Sequence, residues 1–300
     1  MNTSENNNTQ ILKKRKLESR TAEDDSNSAN CPTQVAKPPP QQLPKCILNL
    51  KTLPFGKQNL KFFLLSPNVT FLNHGSFGAT AKIVLAKQRK LVNTLEAHPD
   101  QWFRRNVQTE VRNSAKILAK FVGANENDLV FVQNATTGIN SVLRSLELHD
   151  SDGVLVLSLH YSPILTTLRR TCEYKQEIID LKELNVSNKL PLPTSSELIE
   201  LVEQNLIANP HIKIAIFDHI TSPTSLILPV KKLVEICHKY DVRVLIDGAH
   251  ACGQIPLNLN DINCDYYVGT YHLVYLSIYI YIYYIQVKTN NILLRIFLYY

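Results

Sequence analysis

Residues 242–250, VRVLIDGAH, decide the fold that we predict for this chain. Val242–Ile246 is a short, mainly apolar run, which is typical of a β-strand buried on both faces of a sheet. The segment that follows, Asp247-Gly248-Ala249-His250, places ionisable side chains directly at the end of that strand. Because a buried carboxylate needs a partner, this stretch predicts a strand and a ligand site together.

The same alternation of apolar strand and helix extends from about residue 70 to residue 272. Helical periodicity is seen in Ala81–Leu95, Val107–Phe121, Gly138–Leu148, Ser195–Leu206 and Val230–Tyr240. Strand-like runs are Leu129–Val132, Val154–Leu157, Glu177–Leu181, Ile212–Phe217, Val242–Ile246 and Tyr266–Val268. Short strands separated by helices predict an α/β fold with a mostly parallel central sheet and helices on both faces.

Polar residues follow five of the predicted strands. They are residues 133–138 (QNATTG), 160–162 (HYS), 218–223 (DHITSP), 247–250 (DGAH) and 269–272 (GTYH). Ligands of open α/β sheets bind beyond the carboxyl ends of the strands. One such strand end carries little information, whereas five at the same edge predict a site.

The residue types at this edge suit one kind of ligand. Residues 134–138, at a strand-to-helix turn, offer hydroxyl and backbone N–H groups to an anion, although the threonines could equally cap the helix. Asp247 could pair with a protonated ring nitrogen. His250 could donate to a phenolate oxygen or be a hydrogen-bonded core histidine, and Tyr161 could stack on a ring or only pack. Together these groups describe a pocket for pyridoxal phosphate.

Several longer motifs carry a family resemblance. They are FLNHGSFGA (71–79), WFRRN (102–106), LVFVQNATTGINSVLRSL (129–146), FDHITSPTSLILPV (217–230), VLIDGAHACGQIPL (244–257) and CDYYVGTYH (264–272). In this order they resemble the class V aminotransferase-type, fold-type I pyridoxal phosphate enzymes, in the isopenicillin N epimerase-like and cysteine desulfurase-like branch. The resemblance implies the large domain of that fold, incomplete at the C-terminus.

The resemblance also implies roles for individual residues. Ala135 and Thr136 are implied to hold the phosphate of the cofactor, and Tyr161 to stack on its ring. Asp247 is implied to pair with the ring nitrogen, and His250 to reach the ring hydroxyl. Thr270 and His272 are implied to flank the phosphate and the reactive end. Asn73, His74 and Gly75 are implied to form a loop on the substrate side. An amino-acid or amino-acid-derived substrate and a homodimer are implied as well.

The chain departs from the family pattern at Leu273. The family continues this motif with a lysine that forms the Schiff base with the cofactor, whereas here the text reads Gly269-Thr270-Tyr271-His272-Leu273. Leucine carries no amine, so the resemblance predicts a pocket without its nucleophile and general base. We therefore expect a partial enzyme domain of the epimerase, C–S lyase or desulfurase type that is inactive as this chain. A non-catalytic cofactor-binding protein or dimer partner is the alternative.

The residues after Leu273 differ in composition from the rest of the chain. Ten of the thirteen tyrosines lie at or after Tyr266, and no acidic residue follows Asp265. A gene-model artefact, a truncated isoform and a true pseudoenzyme all remain open as explanations. The uncharged stretch Tyr266–Val287 favours β structure over a membrane-spanning helix, and we expect it to lack sheet partners, so that deleting residues 273–300 raises solubility.

The remaining composition sets limits on partners and location. Net charge is +6, of which only +4 lies beyond residue 45, too little to indicate nucleic acid as a partner. Six cysteines without a C-x-x-C pair, and no signal peptide, indicate reduced thiols in a cytoplasmic compartment and no metal site. Lys13-Lys14-Arg15-Lys16 is typical of a nuclear import patch and equally of a solvated charge run.

These observations divide the chain into four parts. Residues 1–45 form a polar tail that we expect to be disordered. Residues 46–70 are a transition, and residues 71–272 are the partial cofactor-binding domain. Residues 273–300 are the aberrant Tyr/Ile-rich tail.

Overall fold

The computed structural model describes residues 56–149, 151–164, 166–168, 180–184, 193–270 and 283–287. Its α-helices are α1 (Lys82–Ala97), α2 (Pro99–Gln101), α3 (Val107–Val122), α4 (Ala135–Ser145), α5 (Ser195–Ala208), α6 (Val230–Lys239) and α7 (Leu259–Ile262). Its strands are β1 (Leu129–Val132), β2 (Gly153–Leu157), β3 (Asp180–Leu184), β4 (Ile212–Asp218), β5 (Arg243–Gly248), β6 (Tyr266–Thr270) and β7 (Tyr283–Val287). The tail 1–45, His272 and Leu273 lie outside the described residues.

In the part of the chain that is described, the strands form one sheet in the order β1-β7-β6-β5-β4-β2-β3. Strands β3, β2, β4, β5 and β6 run parallel to one another, and β7 is antiparallel to both β1 and β6. The parallel neighbours β2, β4 and β5 therefore deliver their carboxyl ends to the same edge. The predicted α/β architecture is confirmed.

Apolar side chains of the strands point alternately to two cores, one on each face of the sheet. Leu155 and Leu157 of β2 belong to one core, together with residues of α3, α5 and α6. Val154 and Val156 of the same strand belong to the other, together with residues of α4. Burial on both faces explains why β2, β4, β5 and β6 read as nearly unbroken apolar runs.

Some element boundaries differ from the sequence prediction. Strand β3 spans Asp180–Leu184, so it begins three residues after the predicted Glu177, and residues 177–179 lie outside the described part. Helix α4 begins at Ala135, because Asn134 caps it, whereas periodicity pointed to Gly138. The WFRRN motif forms a π-helical turn, Trp102–Asn106, that runs directly into α3.

Strand β7 corrects the expectation for the C-terminal tail. Its backbone pairs on one side with β1, where Val132 is opposite Tyr283, and on the other with β6, where Thr270 is opposite Tyr283. The β preference of this segment is confirmed for residues 283–287. The expectation that the segment lacks sheet partners is wrong there, because β7 is the strand that joins β1 to the rest of the sheet.

Candidate active site

A buried cluster of ionisable side chains lies where β2, β4 and β5 end. Asp218 and Asp247 are the last polar residues of β4 and β5, and the two are direct partners in the strand register. His160 follows β2 after a short turn, and its Nδ1 lies 2.6 Å from Asp218 Oδ1. One ligand atom from each of the three residues lies within 4.8 Å of the others. We call His160, Asp218 and Asp247 the strand-end triad.

Burial governs the electrostatics of Asp247 in this triad. Asp247 is 5% exposed, and its removal from water, reinforced by the charge of Asp218, raises its pKa to about 6. The charge of His160 and a hydrogen bond from Ala249 N–H to Asp247 Oδ1, 3.0 Å long, act in the opposite direction. The carboxyl group therefore titrates near neutral pH, as functional carboxyl groups often do.

His160 is held by the two carboxylates. Burial alone lowers its pKa, but the contact with Asp218 and the charges of Asp218 and Asp247 together outweigh burial and leave the pKa above its ordinary value. His160 Nε2 and Asp218 Oδ2 are fully buried and have no hydrogen-bond partner in the described structure. Buried polar atoms are nearly always paired in folded proteins, so these two atoms lack a partner that the described residues do not supply.

A second histidine, His219, stands behind the triad. Its Nδ1 lies 2.8 Å from the hydroxyl of Tyr267, and its backbone N–H donates to the carbonyl of Asp247 over 2.7 Å. Burial lowers the pKa of His219 to about 4, so the ring is neutral at pH 7. Tyr267 packs so closely over Gly248 that a Cβ at residue 248 would overlap its ring. These contacts fix the backbone around Asp247.

The start of α4 lies in the segment where the sequence predicts an anion site. Asn134 Oδ1 accepts from Thr137 N–H over 2.6 Å, which leaves the first-turn N–H groups of Ala135 and Thr136 for an anion. A shallow concavity there is lined by Asn134, Thr136, Thr137, Asn140, Ser141 and Arg144. Across the sheet edge, Thr270 is buried, and its hydroxyl donates to the carbonyl of Ala249 over 3.2 Å.

Tyr161, His250 and the loop of Asn73, His74 and Gly75 are less buried than the triad. Tyr161 is 44% exposed, although it directly follows buried His160. His250 is half-buried, and burial lowers its pKa. In the loop of Asn73, His74 and Gly75, the hydrogen bonds are local: Phe77 N–H donates to Asn73 O, and Ala79 N–H donates to His74 Nδ1. The described contacts therefore do not join this loop to the triad.

Two members of the triad were not among the predicted site residues. His160 and Asp218 both stood in the inventory of polar strand ends, but neither was given a role. The available signal was position, because Asp218 ends the strand beside β5 and His160 follows the next strand along, β2. The order of the strands, which sets those neighbours, is not readable from a single sequence.

Within the described residues, no helix combines the length and the apolar character needed to cross a bilayer. The three cysteines that the structure describes, Cys237, Cys252 and Cys264, are buried thiols.

The sequence of this chain is similar to those of several known proteins. L-cysteine desulfhydrase-like protein lolT2 of Epichloe uncinata is 33% identical over 234 residues, which cover 75% of this chain and 48% of that protein. Isopenicillin N epimerase of Amycolatopsis lactamdurans is 29% identical over 210 residues, 69% of this chain and 51% of the relative. The chain thus spans about half the length of the curated relatives it matches.

A solved structure shares the fold. The cystine C–S lyase C-DES, in complex with its reaction product cysteine persulfide, superposes with a TM-score of 0.66 at 21% identity, covering 74% of this chain and 58% of that one. The sequence pattern of the family described as aminotransferase class-V matches residues 80–275, well over half of the chain. With both the fold and the sequence in agreement, the chain belongs to the class-V aminotransferase family.

Proposed function

We propose that this chain binds pyridoxal phosphate reversibly at the strand-end triad and does not turn over substrate by itself. The observation that carries the proposal is the buried triad, which presents a carboxylate from Asp247 and unpaired polar atoms from His160 and Asp218. A pyridine ring with a protonated nitrogen fits this set, because it brings one cationic donor to a buried carboxylate. The start of α4, at Ala135 and Thr136, fits the phosphate.

Each predicted residue then has a task in holding the cofactor. Asp247 would keep a proton on the ring nitrogen, and His250 would reach the ring hydroxyl. The resemblance also assigns Thr270 and His272 to the phosphate and the reactive end. Tyr161 covers the ring face once a ligand or a partner removes it from water. Bound pyridoxal phosphate supplies an electron sink for charge that develops at the α-carbon of an amino acid. The chain's own contribution is to bind the ring, orient it and exclude water from one face.

The absence of an amine at residue 273 supports the proposal that the chain does not turn over substrate. Leu273 occupies the position where the family pattern has its lysine. None of the lysines whose side chains the structure describes is buried, so none of these replaces it at the triad. Proton transfer at a substrate α-carbon then lacks its base. We expect binding of the cofactor through non-covalent contacts alone.

The comparisons support a reaction class for a complete relative of this chain. Hercynylcysteine sulfoxide lyase of Schizosaccharomyces pombe, at 27% identity, joins the desulfhydrase-like and epimerase relatives named above. All these names point to amino-acid substrates, most of them containing sulfur. We extend this to the present chain as the domain of a C–S lyase, desulfhydrase or epimerase, with Asn73, His74 and Gly75 on the substrate side.

Restoring the amine is the direct test. The full chain and its Leu273→Lys variant are each titrated with pyridoxal phosphate, treated with borohydride and analysed by mass spectrometry. We expect reversible binding without a covalent adduct in the parent chain and a stable adduct at residue 273 in the variant. Leu273→Met is the matched control, since it adds length without an amine. A soluble parent chain that does not bind the cofactor would refute the proposal.

An exposed apolar segment supports dimer formation as a second function. Leu64, Val69, Leu72 and Phe77 are 56–84% exposed, and all lie in the stretch before α1. Apolar side chains concentrated in this way favour association with another chain. A second copy or a complete relative would cover them. Light scattering of the parent chain and of a Leu72→Ser/Phe77→Ser variant tests this: a monomer in both cases contradicts it.

A further inference from the structure

The contact between His160 and Asp218 has features that packing alone does not explain. The two side chains are 1% and 4% exposed, come from the ends of neighbouring strands, and meet at 2.6 Å. A buried ion pair generally costs more in desolvation than it returns, so a pair kept only for stability is a weak explanation. Moreover, His160 Nε2 and Asp218 Oδ2 remain buried without partners. A purely structural pair would have these atoms satisfied.

Charge balance gives the pair a role. Two ionised carboxylates on register-paired residues, Asp218 and Asp247, would place two negative charges in one buried space. A protonated His160 in contact with Asp218 reduces that total to one. A single remaining negative charge matches a single cationic group, and a protonated ring nitrogen carries one positive charge. Without Asp218, the imidazolium of His160 would pair with Asp247 and compete with the ring nitrogen.

We propose that His160 and Asp218 are positioning residues that reserve the Asp247 carboxylate for the ring nitrogen of the bound cofactor. Asp218 engages His160 through Nδ1, and Asp247 is left to accept from the ligand. This inference rests on the proposed binding of pyridoxal phosphate. It assigns to His160 and Asp218 an effect on the ring nitrogen alone, because neither residue lies on α4, where the phosphate is held.

A comparison of two ligands tests whether the effect of His160 and Asp218 depends on the ring nitrogen. The full chain is titrated with pyridoxal phosphate and with its carbocyclic analogue, in which a C–H group replaces the ring nitrogen. A chelator is present, because a histidine and two carboxylates this close can also take up a divalent cation. For Asp218→Asn we expect at least a tenfold loss of affinity for pyridoxal phosphate and less than a twofold change for the analogue. Asp241→Asn, at an exposed carboxylate, is the control.

A double variant tests whether Asp218 acts through Asp247. Asp218→Asn/Asp247→Asn should bind pyridoxal phosphate no more weakly than Asp247→Asn alone, since the group being positioned is already gone. The inference would be overturned if Asp218→Asn lost affinity equally for both ligands, or if the losses of affinity in the double variant were additive. Either result would leave the proposed function intact. A parent chain that binds neither ligand overturns both.

A measurement on the unmutated chain covers the case in which Asp218→Asn does not fold. The ring nitrogen of ¹⁵N-labelled pyridoxal phosphate bound to the parent chain should show the chemical shift of a protonated pyridine. Asp218→Ser, a second variant at the same position, releases His160 to pair with Asp247 and should return that shift toward the unprotonated value. An unprotonated ring in the parent complex would show that Asp247 is not reserved for it.

Discussion

Substituting Asp247 by asparagine should stabilise the chain at neutral pH. The ordinary pKa of an aspartate is 3.8, and in the folded chain that of Asp247 is about 6. A carboxyl group with a raised folded pKa favours the folded state at low pH and loses that preference as pH rises from 3.8 to about 6. Each pH unit between two pKa values is worth about 1.4 kcal/mol. Ionised Asp247 therefore costs about 3 kcal/mol of stability at pH 7.

Titration of His219 changes the stability of the fold in the opposite direction over a similar pH range. Its pKa falls from 6.5 to about 4 on folding, so the unfolded chain binds the proton more tightly, and stability is lost as pH falls through that interval. The size is again about 3 kcal/mol. Half-buried His250, whose pKa is also lowered, adds in the same direction. His160, whose pKa is raised, stabilises the folded chain fully below pH 6.5 and loses that effect as the pH rises above this value.

Urea unfolding at pH 4, 5, 6 and 7, followed by circular dichroism, separates the two groups. Relative to the parent chain, Asp247→Asn should be more stable by about 3 kcal/mol at pH 7, and this gain should shrink to under about 1 kcal/mol at pH 4. His219→Gln should be about 1 kcal/mol less stable at pH 7, because it loses the bond to Tyr267, and should gain about 3 kcal/mol relative to the parent by pH 4. Asp241→Asn, at an exposed turn, serves as the control. A difference between Asp247→Asn and the parent chain that does not vary with pH would refute the reasoning.

Two further substitutions and one truncation test the supporting structure. Gly248→Ala should destabilise the chain by about 1–3 kcal/mol, because its Cβ would overlap the ring of Tyr267; Gly75→Ala, with no atom within 4 Å of the new Cβ, should leave the unfolding midpoint almost unchanged. Thr194→Ala should cost about 1 kcal/mol through loss of the capping box of α5, and an unaltered midpoint would show that the cap contributes nothing. Ending the chain after Thr270 should lower the soluble yield, the reverse of the sequence expectation, because removing β7 exposes β6 and detaches β1; a higher yield would contradict the pairing of β7.

The sequence predicted the strands well wherever a segment was mainly apolar. The buried runs of β2, β4, β5 and β6 were readable because parallel strands covered on both faces lose the polar alternation that would blur them. Strand β3, with the sequence DLKEL, has no such run, and it extends three residues beyond its predicted end at Leu181. Propensity alone cannot set the register of a polar strand.

The site was predicted in part for a related reason. Asp247 was recognisable because an acidic residue directly after an apolar run is unusual. His160 was overlooked because its closeness to Asp247 depends on β2 and β5 both neighbouring β4, which is a property of the sheet order. Strand β7 was missed as a partner because the pairing of a distant segment carries no local signal.

The position of β7 also bears on the order of events during synthesis. In the described residues β1 reaches the sheet only through β7, and about 150 residues separate Val132 from Tyr283. At a ribosomal rate of about 5–20 residues per second, the first strand waits roughly 8–30 s before its neighbour is translated. The five parallel strands can assemble in that interval, whereas the turn after β1 and the start of α4, where the phosphate would bind, can be fixed only at the end. A nascent chain of this protein would therefore acquire its binding edge last, and a chaperone that shields β1 during that wait would raise the yield of folded protein.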